Sequence, residues 1–192
     1  MTVLQWMIVV AVVAFFICAH AFAFKVVRIQ WPLGPRLHRV ASVGFELVLI
    51  DAPGMRRDRI LLLDACVTAT TALFMAWRAW RPNDPTLVGV FPLVGVHFVD
   101  DQVMDELQGV LFNGRPTAAY LSHASSTFRQ VPLAVIRKSL AGEVIGTGQP
   151  VIHEILHALL AYFLPDVRER THDYVMRNAE STYRKLYAPK DS

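Results

Sequence analysis

An uncharged and almost wholly apolar run extends from Thr2 to Phe24 and restricts the possible folds of the chain more than any other feature. A helix of that length spans about 33 Å, which is enough to cross the hydrocarbon core of a bilayer. Basic residues follow from Lys25 onward, and no acidic residue occurs before Glu46. By the positive-inside rule, we expect residues 1–24 to form a transmembrane anchor whose following segment is cytoplasmic.

A cleaved signal peptide is the alternative interpretation of this run. Residues 19–21 read Ala-His-Ala, which is similar to a cleavage site. A signal peptide, however, begins with basic residues and has a shorter apolar core. We therefore predict an uncleaved anchor and a single-pass membrane protein with its remaining domain in the cytoplasm.

The rest of the 192-residue chain has the length of one ordinary domain. The net charge is +3, and the basic excess is concentrated in residues 25–59. Next to an anchor, such a cluster favours a topology signal or a lipid-headgroup contact over a nucleic-acid surface. We divide the chain after the anchor into a basic juxtamembrane linker at 25–57, a domain at 58–186 and a polar tail at 187–192.

A second apolar stretch, residues 60–77, raises the question of a second membrane span. Its longest uncharged part lies between Asp64 and Arg78, which is short for a span and normal for a helix buried in a domain. We predict that it is the first helix of the domain. A crossing here would instead move everything that follows to the other side of the membrane.

The remaining pattern is typical of an α+β domain with a short sheet. A helix is expected to begin at Asp100 or Asp101, where an aspartate can cap it, and a glycine-containing loop is expected at residues 141–148. The predicted strands are Val94–Val99, Thr117–Ser122 and Val131–Ile136, and the predicted last helix is Thr171–Leu186.

Five residues that begin at His153 read HEILH, an instance of the HExxH motif. On a helix, His153 and His157 are four residues apart and lie on one face, where they can hold one zinc ion. Glu154 would lie beside the open position of that metal. The helix is well bounded, since Pro150 is suited to its first turn and Pro165 ends it. The sequence therefore predicts a zinc site on this helix.

A catalytic zinc site takes three protein ligands and keeps a fourth position for water. The metzincin pattern would require glycine and histidine at the positions that Leu160 and Phe163 occupy, so that class is excluded. Several downstream side chains could supply the third ligand. These are Asp166, Glu169, His172, Asp173 and Glu180.

The segment HEILHALL, with fourteen residues between His157 and His172, resembles the SprT-like zinc metallopeptidases. The order of a helix, strands and then the HExxH helix is also similar to that family. The resemblance implies a zincin-like domain in which His153, His157 and His172 bind Zn²⁺ and Glu154 is the catalytic base. No cysteine cluster of a zinc ribbon occurs, so the DNA-linked roles of some members are not implied.

We therefore expect a membrane-anchored zinc-dependent metallopeptidase, in which zinc-activated water attacks a peptide bond and Glu154 acts as general base. Its expected partners are a protein or peptide substrate and the membrane, rather than nucleic acid. Two other classes remain open. One is a catalytically inactive, membrane-tethered zinc-binding module, and the other is a metal-free adaptor that contacts lipid.

Overall fold

The computed structural model describes residues 3–30, 35–111, 119–126, 129–164 and 169–187, and the chain divides into two units at Leu33. The first unit contains helix α1, Val3–Gln30. Its large apolar side chains are exposed, among them Met7, Phe15 and Ile17, which are 64–69% exposed.

The second unit, residues 34–192, is built on a mixed five-stranded sheet with the strand order β1-β2-β3-β5-β4. The inner pairs β2–β3 and β3–β5 are parallel, whereas the outer pairs β1–β2 and β4–β5 are antiparallel. The strands are β1 Arg36–Val40, β2 Glu46–Ile50, β3 Leu93–Val99, β4 Ala119–Ser126 and β5 Arg129–Arg137.

Six helices belong to the described part of this unit. They are α2 Arg56–Trp80, α3 Leu87–Val90, α4 Asp101–Leu111, α5 Ala141–Thr147, α6 Gln149–Phe163 and α7 Glu169–Leu186. Helix α2 lies over β1 and β2, α6 lies over β5 and β4, and α7 packs against α2 and α6. The strand side chains under them, such as Leu49, Val96 and Ile136, are fully buried in the core that these helices cover.

Helix α2 corresponds to the second apolar stretch of the sequence. Among the described residues it is the helix that is long and apolar enough to cross a bilayer, but 61% of its most apolar window is buried inside the unit. Cys66, Leu73 and Trp77 are completely buried along it. The Asp64 carboxylate forms an ion pair with Arg39 of β1. The apolar residues of α2 thus form protein contacts, which accounts for their number without a membrane.

Two segments have a different structure from the one their sequence predicts. Residues 36–50, which we expected in a linker, form β1 and β2, because Leu47 and Leu49 alternate into the core. Residues 141–147, which we expected in a loop, form α5, where Val144 is fully buried against the core. The predicted strands at 94–99 and 131–136 are present, and β4 pairs with β5 in the antiparallel sense.

Candidate metal centre

Helix α6 places the HEILH segment between the sheet and α7. It begins at Gln149 with Pro150 in its first turn and ends at Phe163, as the sequence predicts. Its apolar face is buried, with Ile152 and Ile155 completely inaccessible. The two histidines lie on the opposite side of this helix, which is why they remain accessible to a ligand.

Three imidazoles converge where α6 meets the first turn of α7. His153 and His157 come from α6 and His172 comes from α7. One ring nitrogen from each residue lies within 4.8 Å of the other two. The Nε2 atoms of His153 and His157 are 2.9 Å apart, and the ring of His172 is centred 4.8 Å from that of His153 and 5.1 Å from that of His157.

The donor atoms of this cluster are close enough together that they could hold a zinc ion. Zn–N bonds of 2.0–2.1 Å place two ligand nitrogens about 3.3 Å apart, whereas the Nε2 atoms of His153 and His157 are 2.9 Å apart and all three ligand nitrogens lie within 4.8 Å of one another. The Nε2 atom of His172 is buried and has no hydrogen-bond partner in the described part of the chain. A buried polar atom without a partner is costly, and a metal ion would satisfy it.

The surroundings of His153 and His157 favour unprotonated imidazoles, which is the form that binds metal. Burial, together with the neighbouring His157 and His172, lowers the pKa of His153 to about 4. Burial and the charge of His172 also lower the pKa of His157. At neutral pH both rings are therefore neutral.

Glu154 lies next to the first histidine of the cluster and is only 7% exposed. Burial raises the pKa of its carboxyl group to about 7, because the charged form loses its hydration. A cation bound at the three histidines would lower that pKa again. Such a carboxyl group can both accept and return a proton near neutral pH, as a general base requires.

The structure places the other candidate ligands differently. Glu180 lies further along α7 and forms an ion pair with Arg184, 3.7 Å away. Asp173 lies 3.5 Å from the Nδ1 atom of His172, on the opposite side of the ring from Nε2. A carboxylate in that position can orient a metal-bound histidine. Asp166 and the side chain of Glu169 are outside the described residues.

Tyr183 and Gly148 connect the helices of the site, and sequence reasoning did not identify them. The Tyr183 hydroxyl donates to two carbonyl oxygens, that of Ile145 at 2.7 Å and that of Val144 at 3.1 Å. Its ring packs on Gly148, which separates α5 from α6 and has φ +66°. The only sequence signal for this contact was a glycine directly before the Gln-Pro start of a helix.

An apolar pocket of about 580 Å³ lies beside the C-terminal end of α6. Tyr162, five residues after His157, forms one wall, and its ring makes an edge contact with Phe91. The lining otherwise comes from residues 88–93 and Val131. Of this lining, only Tyr162 belongs to α6, the helix that carries His153 and His157.

Comparison with family models, with curated proteins and with solved structures finds no match for this chain.

Proposed function

We propose that this chain is a membrane-anchored zinc metallopeptidase with a zincin-like catalytic unit. One observation carries the proposal: the third histidine, His172, comes from a separate helix and meets the HEILH pair with its Nε2 atom buried and, among the described residues, without a hydrogen-bond partner. A chance HExxH sequence gives no reason for a distant imidazole to meet the first two. The zincin-like assignment rests on the α6 helix that packs on a mixed sheet and the ligand from the following helix.

The three histidines would hold zinc, and the fourth position would remain open. Zinc held there would lower the pKa of a water molecule and polarise the carbonyl group of a substrate. Glu154 accepts the proton of the attacking water and returns it to the leaving amine. Its burial at 7% exposure keeps bulk water away from this proton transfer.

The membrane anchor in this proposal is α1. Every described side chain from Gln5 to Ala21 is exposed, and nearly all of them are apolar. An apolar helix that is exposed all around is unfavourable in water and stable in a bilayer. Helix α1 has 28 residues, and its described side chains, Gln5–Ala21, form a shorter apolar stretch of about 26 Å, which is near the lower limit for a span. The basic residues after it favour a cytoplasmic catalytic unit.

Metal analysis combined with a proteolysis assay tests the proposal. The full-length protein, purified in detergent, is expected to contain one zinc ion per chain and to digest an unfolded substrate such as casein. The matched variant Glu154→Gln should keep its zinc and lose activity by at least about 100-fold, because only the proton-accepting group is removed.

Each possible result of this experiment has a distinct meaning. Zinc without turnover in the unaltered protein would favour the non-catalytic zinc-binding module. Absence of zinc after purification and after incubation with zinc would favour the metal-free adaptor. Activity that survives Glu154→Gln would rule out the mechanism.

A further inference from the structure

The N-terminal end of α2 lies beside the C-terminal end of α7. The Tyr187 hydroxyl donates a hydrogen bond of 3.3 Å to the carbonyl oxygen of Leu61, which joins the two ends. Residues 54–61 are all exposed. Four large apolar side chains at these ends remain unburied, and we call them the apolar tip: Met55 is 81% exposed, Ile60 47%, Leu61 43% and Leu186 49%.

Basic side chains lie next to the residues of the apolar tip in both helices. Within the described residues, Arg56, Arg57 and Lys185 are exposed and have no ion-pair partner. The nearest acidic side chain along the helix is Asp58, whose carboxylate accepts the backbone N–H of Met55. That carboxylate caps the helix and, among the described residues, forms no ion pair with Arg56 or Arg57.

The basic and apolar side chains share the same faces of α2. Arg56 precedes Ile60 by four residues, and Arg57 precedes Leu61 by four residues. Residues four apart on a helix are neighbours on its surface. A single planar partner that contacts this end of α2 therefore meets guanidinium groups and branched aliphatic chains together.

We propose that this end of the α2–α7 pair binds an anionic lipid bilayer. The arginines and Lys185 meet phosphate and carboxylate headgroups, and Met55, Ile60 and Leu61 enter the boundary between headgroups and acyl chains. Each basic residue near such a surface contributes roughly five-fold in binding. The surface is distinct from α1 and would orient the catalytic unit on the membrane.

The same features argue against two other occupants. Nucleic acid would use the positive charge, but it offers no apolar layer for an 81% exposed methionine. A symmetric contact with a second copy would bring two basic tips together, and their like charges repel. An anionic bilayer supplies both negative charge and an apolar layer.

A depth-sensitive label at position 55 tests this proposal in the full-length chain. Met55→Cys is prepared together with Cys18→Ser, and the buried Cys66 is left in place. The cysteine carries an environment-sensitive fluorophore, and the protein is reconstituted into phosphatidylcholine bilayers with or without phosphatidylserine. We expect a blue-shifted emission that is quenched by lipid-borne nitroxides only when phosphatidylserine is present.

Matched variants separate this contact from general proximity to the bilayer. The double substitution Arg56→Glu and Arg57→Glu should abolish the shift. A label at Asn83→Cys, which is exposed beyond the other end of α2, about 37 Å away, should show no shift.

Two results would overturn the proposal. The emission wavelength of the label at position 55 would stay at its value in water, or it would shift equally in neutral bilayers. A shift produced by single-stranded DNA without lipid would replace the bilayer with nucleic acid. None of these readings depends on zinc or on peptidase activity.

Discussion

The ring of Tyr183 occupies the space into which a side chain at Gly148 would have to extend. A Cβ atom at position 148 would lie 2.8 Å from Cδ2 of that ring. The glycine also has φ +66°, a conformation that costs energy for residues with a Cβ. This contact joins α7, which carries His172, to the start of α6, which carries His153 and His157. The relative position of the three imidazoles therefore depends on it.

Substitution of Gly148 by alanine should destabilise the protein by about 2–4 kcal/mol, since it combines a strained φ with a clash against a buried ring. Urea unfolding of the detergent-solubilised protein measures the change. Gly142→Ala is the control, because nothing lies within 4 Å of the added methyl group in α5. That variant should be neutral or more stable by about 0.5–1 kcal/mol. Equal destabilisation of both variants would contradict the role of the Tyr183 contact.

Tyr183→Phe should lower the free energy of unfolding by about 1–2 kcal/mol, because the carbonyl groups of Val144 and Ile145 lose their buried donor. The ring still packs on Gly148, so the loss should be smaller than in Gly148→Ala. The same urea titration measures it. A change below the error of the titration would show that water replaces the hydroxyl.

His172→Ala should weaken zinc binding by more than about 100-fold, since even the loss of a residue that only orients a ligand costs 10–100-fold. Competition with a chromogenic chelator measures the affinity. Glu180→Ala is the matched control on the same helix and should leave the affinity unchanged, because Glu180 pairs with Arg184. The reverse result would make Glu180 the third ligand.

Glu154→Gln should make the metal-free protein more stable at neutral pH. The pKa of Glu154 is raised to about 7 in the folded state from 4.5, so folding binds a proton between these values. The free energy of unfolding therefore falls as the pH rises through this window, by about 2–4 kcal/mol, and the amide variant avoids that loss. Urea unfolding with a chelator at pH 4.5 and pH 8 measures the difference. A constant difference between the two proteins across this range would contradict the buried charge.

The four-residue spacing of His153 and His157 and the proline boundaries of their helix were evident from the sequence, because helix periodicity and proline stereochemistry are local properties. The same holds for the strand at Leu93–Val99, whose apolar run is recognisable without its neighbours. The strands at residues 36–50 were missed because the arginines of β1 indicated a basic linker, and β2, with Leu47 and Leu49 alternating, was assigned to the same linker. Helix α5 was missed because its glycines indicated a loop, whereas burial of Val144 stabilises a helix.

By sequence spacing alone, several distant side chains could have supplied the third metal ligand. Only the tertiary structure brought His172 to the HEILH pair, because α7 is held against α2 and α6 by contacts far apart in the chain, Tyr183 on Gly148 among them. The sequence by itself determined which chemical groups are available and which local elements carry them. Their distances depend on long-range packing, which no local pattern encodes.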